Sequence, residues 1–107
     1  IQDRNKIFSD AKLLQEKGVF SIVLECVETT LAKKITKSLR IPTIGIGSSQ
    51  NCDGQVLVID DLIGLNESKI KFVKKFGRIK NNISKAARSF KKEVLSKKYP
   101  TKKYSYN

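Results

Sequence analysis

The chain has 107 residues, of which 39% are hydrophobic and 30% are charged, so it is long enough for one small domain or part of a larger one. It contains no histidine, which excludes every catalytic scheme that uses imidazole, and its two cysteines fit neither a disulfide framework nor a zinc-site spacing. No run approaches the roughly 20 apolar residues of a membrane span, and residues 1–10 lack the apolar centre of a secretory signal. We therefore expect a cytoplasmic location without membrane contact.

Residues 8–17 are predicted to form a helix. Ser9 is a candidate N-cap, and Gly18 stands where a glycine often ends a helix. The next segment, residues 20–27, is a nearly continuous apolar run rich in β-branched residues. This composition is typical of a strand buried on both faces, as in a parallel sheet.

A second helix is predicted over residues 31–39, with Thr29 or Thr30 as its cap and Pro42 preventing its continuation. Residues 41–47 then read as a second buried strand.

The end of this second strand contains two glycines, which have no side chains. Gly45 and Gly47 leave room for a ligand or a second backbone to approach.

Residues 48–54 are rich in turn formers, and residues 55–60 are predicted to form a third apolar strand that ends in acidic residues. Strands that alternate with helices at this spacing predict an α/β fold with a parallel sheet.

The net charge of +12 lies entirely in the C-terminal third, because residues 1–65 are balanced and residues 66–107 hold fourteen basic residues against two acidic ones. Clustered lysines could bind nucleic acid. Apolar residues in the same segment, however, recur every three or four positions, which predicts an amphipathic helical face with solvated lysines opposite. We favour the solvated face and regard nucleic acid as an unlikely partner. The apolar residues are Phe72, Phe76, Ile79, Ile83, Ala86, Phe90 and Val94.

Glu25 is the strongest candidate for catalysis. Alternation along a strand places it on one face with Val23 and Val27, and it places Leu24 and Cys26 on the other. Glu25 lies near the carboxyl end of its strand, where barrel enzymes build their active sites. An apolar setting would make it a better general base near neutral pH. From the pattern alone, a strand-end glutamate bonded to a backbone group or a lysine is the competing interpretation.

Three segments in order resemble ketopantoate hydroxymethyltransferases: LECV at residues 24–27, IPTIGIG with CDGQVLV across 41–58, and KFVKKF at 71–76. The resemblance implies that the chain is the C-terminal portion of a (β/α)8 TIM barrel. Residues 1–65 would supply strand and helix units, and residues 66–107 would form basic amphipathic helices of the same domain. It also implies transfer of a hydroxymethyl group from methylenetetrahydrofolate to 3-methyl-2-oxobutanoate, which gives ketopantoate for pantothenate synthesis.

The same resemblance implies that Glu25 is the proton acceptor and that Mg²⁺ polarises the keto group of the substrate. The family's metal-binding carboxylates lie in earlier strands, so no metal ligand is assigned here, and the fragment is expected to be inactive alone. Asp53, Asp60 and Asp61 have ordinary explanations as turn and strand-end residues. The complete enzyme is expected to be a homo-oligomer.

The chain departs from the family's usual pattern at several places. It has Ser48-Ser49 where alanine and glycine are usual, Glu28 where proline is common, and Asp60 and Tyr104 near usual histidine positions. Two alternatives therefore stay open: a divergent, non-catalytic relative, and a small basic module that binds nucleic acid through residues 66–107.

Overall fold

The computed structural model describes residues 3–106, which form two compact units. The first unit contains the described residues up to Val58 together with Lys69–Val73, and the second contains Ile59–Ser68 and the described residues from Lys74 onward. The elements in chain order are α1 (Arg4–Glu16), β1 (Ile22–Glu25), α2 (Thr29–Ser38), β2 (Thr43–Ile46), β3 (Gly54–Gln55), α3 (Ile59–Leu62), α4 (Lys80–Leu95) and a 3₁₀ helix (Lys102–Tyr104).

Helix α1 begins earlier than the sequence predicted. The carboxylate of Asp3 accepts a hydrogen bond from the Lys6 amide at 3.0 Å and caps the helix. Ser9, the predicted cap, lies inside the helix and donates its hydroxyl to the Lys6 carbonyl. The predicted C-terminal end of α1 is confirmed. Gly18 lies just beyond the last turn, has a φ of +89°, and donates its amide to the Gln15 carbonyl.

Helix α2 is capped by an acid rather than by a threonine. The Glu28 carboxylate accepts hydrogen bonds from the amides of Thr30 at 3.0 Å and Leu31 at 3.2 Å. Thr29 and Thr30 are the first two residues of the helix, so the predicted cap was wrong. One face of α2 then enters the core through Leu31, Ala32 and Ile35.

The three strands form a parallel sheet in the order β1-β2-β3, which confirms the predicted parallel α/β arrangement. β1 was expected to be buried on both faces, but only one face is buried in this chain. Ile22 and Leu24 are buried, whereas Val23 is 56% exposed. The buried face contributes to a core made of Ala11, Ile22, Leu24, Val27, Leu31, Ala32, Ile35 and Cys52.

The predicted third strand over residues 55–60 is wrong in extent. Pairing with β2 covers only Gly54–Gln55, Val56 and Val58 are about half exposed, and the chain forms the short helix α3 from Ile59. A short apolar run does not by itself distinguish strand from helix. The connection from β2 to β3, residues 47–53, contains no helix.

In the second unit, the predicted amphipathic helix is confirmed from Ile83 to Val94, within α4, and is wrong before Lys80. The amides of Phe76 and Gly77 donate to the Leu62 carbonyl at 2.8 and 3.0 Å, so these two residues do not make the hydrogen bonds of a helix. No residue of α4 is buried. Within residues 3–106, no helix combines the length and apolar character that crossing a bilayer requires.

Candidate active site at the carboxyl ends of the strands

The carboxyl ends of β1 and β2 lie side by side in the first unit and border a groove of about 800 Å³. Crevices at this end of parallel strands are the usual ligand sites of α/β folds. The groove is lined by residues 26–29, residues 47–50, Gln55, Lys71 and Phe72.

Glu25 is the last residue of β1 and pairs with Ile46 of β2. Its side chain is exposed in this chain. It lines a second groove of about 330 Å³, whose other lining residues are mostly apolar and include Ile7, Leu14 and Val23. This groove is mostly apolar, but the described residues do not enclose the carboxylate of Glu25.

The chain turns sharply just after Glu25. Cys26 has a φ of +52°, a left-handed conformation that non-glycine residues seldom adopt. The Cys26 amide still donates to the Ile46 carbonyl at 2.9 Å. Because of this turn, the strict alternation that we predicted ends at Glu25: Cys26 is exposed, and Val27 is buried.

Two serines form the loop that faces this turn. The Ser48 hydroxyl donates to the Val27 carbonyl at 2.8 Å, which ties the end of β2 to the residues after Glu25. Ser49 is buried, and its hydroxyl accepts from the Asn51 amide at 3.1 Å. The Ser49 carbonyl accepts from the side-chain amide of Gln55 at 2.7 Å. Both serines thus hold the loop through specific hydrogen bonds.

The close approach predicted at Gly45 and Gly47 is present, but side chains make it rather than a ligand or a second backbone. A Cβ on Gly45 would stand 2.9 Å from Oε1 of Gln55 and 3.2 Å from Sγ of Cys52. A Cβ on Gly47 would stand 2.5 Å from the ring of Phe72. A side chain on Gly45 would displace the flexible end of Gln55, whereas one on Gly47 would overlap the ring of Phe72, so the requirement for glycine is stronger at Gly47.

Glu28 is the acid that lines the groove, and it is already engaged. Nη1 of Arg4 lies 2.7 Å from Oε2 of Glu28. The hydrogen bond from the Thr30 hydroxyl, followed by the bond from the Thr30 amide, holds the pKa of Glu28 below its usual range. Glu28 therefore stays ionised as a helix cap and is a poor candidate for a general base.

The other acids that attracted attention in the sequence have structural partners. Oδ2 of Asp53 accepts the Thr43 amide at 2.8 Å, and Oδ1 of buried Asp61 accepts the Asn66 side-chain amide at 3.4 Å. Asp60 lies with Asp61 in the first turn of α3, not at the end of a strand as predicted. Among residues 3–106, no three His, Cys, Asp or Glu side chains come close enough to hold a metal ion.

Sequence reasoning did not find the roles of Arg4, Ser48 and Gln55. Arg4 and Glu28 are 24 residues apart, and no local pattern links them. Ser48 and Gln55 had a weak signal, since Ser48 follows the predicted end of the second strand and Gln55 is the predicted first residue of the third. Only the fold shows which groups they contact.

Comparison with known proteins gives a consistent result. Residues 1–102 match the family described as ketopantoate hydroxymethyltransferase. The chain is similar to 3-methyl-2-oxobutanoate hydroxymethyltransferases from three bacteria. It is 60% identical to that of Pelagibacter ubique over 99% of the chain, 46% identical to that of Carboxydothermus hydrogenoformans over 99%, and 48% identical to that of Buchnera aphidicola over 97%. It spans 41%, 39% and 40% of these relatives and corresponds to their C-terminal portion.

Proposed function

Since the chain belongs to the ketopantoate hydroxymethyltransferase family, we propose that it supplies the later strands and the C-terminal helices of a TIM-barrel enzyme. The enzyme would transfer a hydroxymethyl group from methylenetetrahydrofolate to 3-methyl-2-oxobutanoate. The observation that carries the proposal is the position of Glu25, at the carboxyl end of β1, in a chain 60% identical to a protein with that name. Alone, this two-fifths portion is expected to be inactive.

Glu25 is the proposed proton acceptor. Its carboxylate would remove the proton from C3 of 3-methyl-2-oxobutanoate, because the resulting charge is delocalised into the adjacent keto group as an enolate. C3 then forms a bond to the methylene carbon of the folate. Both bonds between that carbon and the two folate nitrogens break, and water supplies the hydroxyl group of the product. The two nitrogens take up the proton removed from C3 and the remaining proton of the water.

The described residues do not offer a site for Mg²⁺, which the resemblance implies, because no three ligand side chains converge in this part of the chain. Its ligands are expected in the earlier strands of the enzyme. The contribution that we assign to this chain is the proton transfer at Glu25.

The exposed face of β1 supports placement in a larger sheet. Val23 and Glu25 are exposed, and in residues 3–106 β1 pairs on one edge only, with β2. Unpaired edges and uncovered apolar faces are unfavourable in isolation. In the proposed barrel, the preceding strand pairs with this edge, the barrel interior covers Val23, and both compact units belong to one domain. A homo-oligomer is proposed for the complete enzyme.

The test uses a chimeric enzyme in which this chain replaces the matching 106 residues of the Pelagibacter ubique relative. Two readouts are measured: folate-dependent formation of ketopantoate, and exchange of the C3 proton of 3-methyl-2-oxobutanoate in D₂O, followed by NMR. Glu25→Gln is expected to abolish both, because the amide is not a base. Glu16→Gln, at the exposed end of α1, is the matched control and is expected to leave both unchanged.

The outcomes separate the alternatives. A chimeric enzyme that folds and assembles without turnover identifies this chain as a divergent, non-catalytic relative. Full activity of Glu25→Gln removes Glu25 from the mechanism but leaves the reaction in place. Failure to assemble favours a separate basic module that binds nucleic acid.

A further inference from the structure

The residues that follow Glu25 are held by the loop after β2. The regular pairing of β1 with β2 ends with Glu25 and Ile46. Beyond it, the Cys26 amide donates to the Ile46 carbonyl at 2.9 Å, and the Ser48 hydroxyl donates to the Val27 carbonyl at 2.8 Å. The Ser48 bond is the one of these two that depends on a side chain, so a substitution can remove it without changing the backbone.

The position of this bond matters because the chain turns at Cys26. The left-handed conformation is unfavourable for a residue other than glycine, so surrounding contacts have to hold Cys26 in it. Another side-chain contact near this turn is the ion pair of Arg4 and Glu28, whose side chains are 57% and 42% exposed. Exposed ion pairs contribute little. The partly buried Ser48 bond is the stronger constraint.

We infer that Ser48, which stands where alanine is usual in the family, is a positioning residue of this chain and not a general requirement of the reaction. Its hydroxyl fixes the turn directly after Glu25 and thereby the direction of the Glu25 carboxylate. The inference rests on the proposed function. Ser48 acts through the Val27 carbonyl and need not touch the substrate. Removing its hydroxyl leaves the Val27 carbonyl without this donor and frees the end of β1 to shift.

The expected effect is on the proton transfer rather than on substrate binding. A displacement of about 1 Å at a reacting group can lower a rate by about 100-fold. A loosened turn is a smaller change. We therefore expect Ser48→Ala to slow C3-proton exchange by about five- to tenfold, with KM for 3-methyl-2-oxobutanoate within about twofold.

The experiment measures C3-proton exchange in D₂O by NMR, with the chimeric enzyme and four variants. Ser48→Thr keeps a hydroxyl and is expected to restore most of the rate. Ser38→Ala is the matched control, because the Ser38 hydroxyl also donates to a backbone carbonyl at 2.8 Å, that of Lys34, but at the end of α2. It is expected to leave the rate unchanged. Glu25→Gln gives the rate without the base.

Three results overturn the inference. The first is that Ser48→Ala exchanges protons at the full rate. The second is that Ser48→Ala and Ser38→Ala lose rate in parallel with Tm, and the third is that Ser48→Thr is as slow as Ser48→Ala although both are folded. Glu25→Gln distinguishes these from failure of the proposed function. If Glu25→Gln is inactive and Ser48→Ala is not slowed, only the role of Ser48 is lost. If Glu25→Gln exchanges normally, the proposed base is wrong and Ser48 has nothing to position.

Discussion

The ring of Phe72 occupies the space in which a side chain on Gly47 would lie. Its Cγ and Cδ1 atoms are 2.5 Å from the position of a Cβ on Gly47, and Gly47 itself has a φ of +60°. Phe72 belongs to the short segment Lys69–Val73, which is far from β2 in sequence but part of the same compact unit. Gly47 therefore has two roles: it adopts the positive φ of the turn at the end of β2, and its missing side chain leaves space for the ring of Phe72.

Gly47→Ala is expected to destabilise the chimeric enzyme more than Gly18→Ala. Both glycines have a positive φ, which costs an L residue about 1–2 kcal/mol, but a Cβ on Gly18 meets nothing within 4 Å. At about 2–4 °C for each kcal/mol, Gly18→Ala should lower Tm by a few degrees and Gly47→Ala by more. Thermal unfolding measures the difference. Equal shifts would show that Phe72 moves aside without cost.

Asp53→Ala is expected to destabilise the sheet, while Asp53→Asn is not. The Asp53 carboxylate accepts the amide of buried Thr43 at 2.8 Å, and loss of a buried group's partner costs about 1–3 kcal/mol. Asparagine keeps an acceptor oxygen. Tm and ketopantoate formation of the two variants are measured together. If Asp53→Asn loses activity at an unchanged Tm, the carboxylate has a chemical role that its contacts do not explain.

Glu28 is expected to stabilise the enzyme only while it is ionised. Hydrogen bonds from Thr30 lower its pKa in the folded state, so this stabilisation is fully present above the ordinary pKa of glutamate and is lost as the pH falls through the lowered value. Glu28→Gln should therefore lower Tm at pH 7, and the difference should shrink below about pH 4. Glu16→Gln is the control. A Glu28→Gln difference that is constant with pH contradicts this explanation.

The basic second unit is expected to bind polyanions weakly and with a strong salt dependence. Lys91 and Lys92 of α4 have no carboxylate within 4 Å among the described residues, and α4 is exposed along its whole length. Replacing this pair with glutamine should weaken binding to single-stranded DNA and reduce its salt slope by roughly one to two units. The control pair is Lys33 and Lys37 of α2. Equal effects of both pairs would assign the affinity to net charge alone.

The parallel sheet, the end of α1 and the position of Glu25 at the end of β1 were predictable from local patterns. Gly18 marked a helix end, and the apolar runs before Glu25 and Gly47 marked two strands. The third strand was not predictable, because residues 55–60 have a strand-like composition but little to pair with in this chain. The start of α4 was missed because backbone bonds to Leu62 interrupt an otherwise helical apolar pattern.

The contacts that hold the candidate site also could not be predicted from local sequence patterns. Arg4 reaches Glu28, Ser48 reaches Val27, and Phe72 packs on Gly47, each across more than 20 residues. Side chains paired at such separations leave no periodic trace in the sequence. Glu28 had a nearer signal, since an acid directly before the first residues of a helix can act as its cap.

Because of the left-handed turn at Cys26, insertions and deletions before this residue have a different effect from those after it. Within β1, inserting or deleting one residue reverses which face every later side chain of the strand occupies, so Glu25 would point toward the core. After Cys26 the alternation no longer applies, since Val27 is buried by the turn rather than by strand geometry. Length changes between this turn and α2 leave the alternation of β1 intact, but they displace Val27 and with it the bond from Ser48. Changes before and after Cys26 therefore reach Glu25 by different routes, the first through the register of the strand and the second through the contacts of the turn.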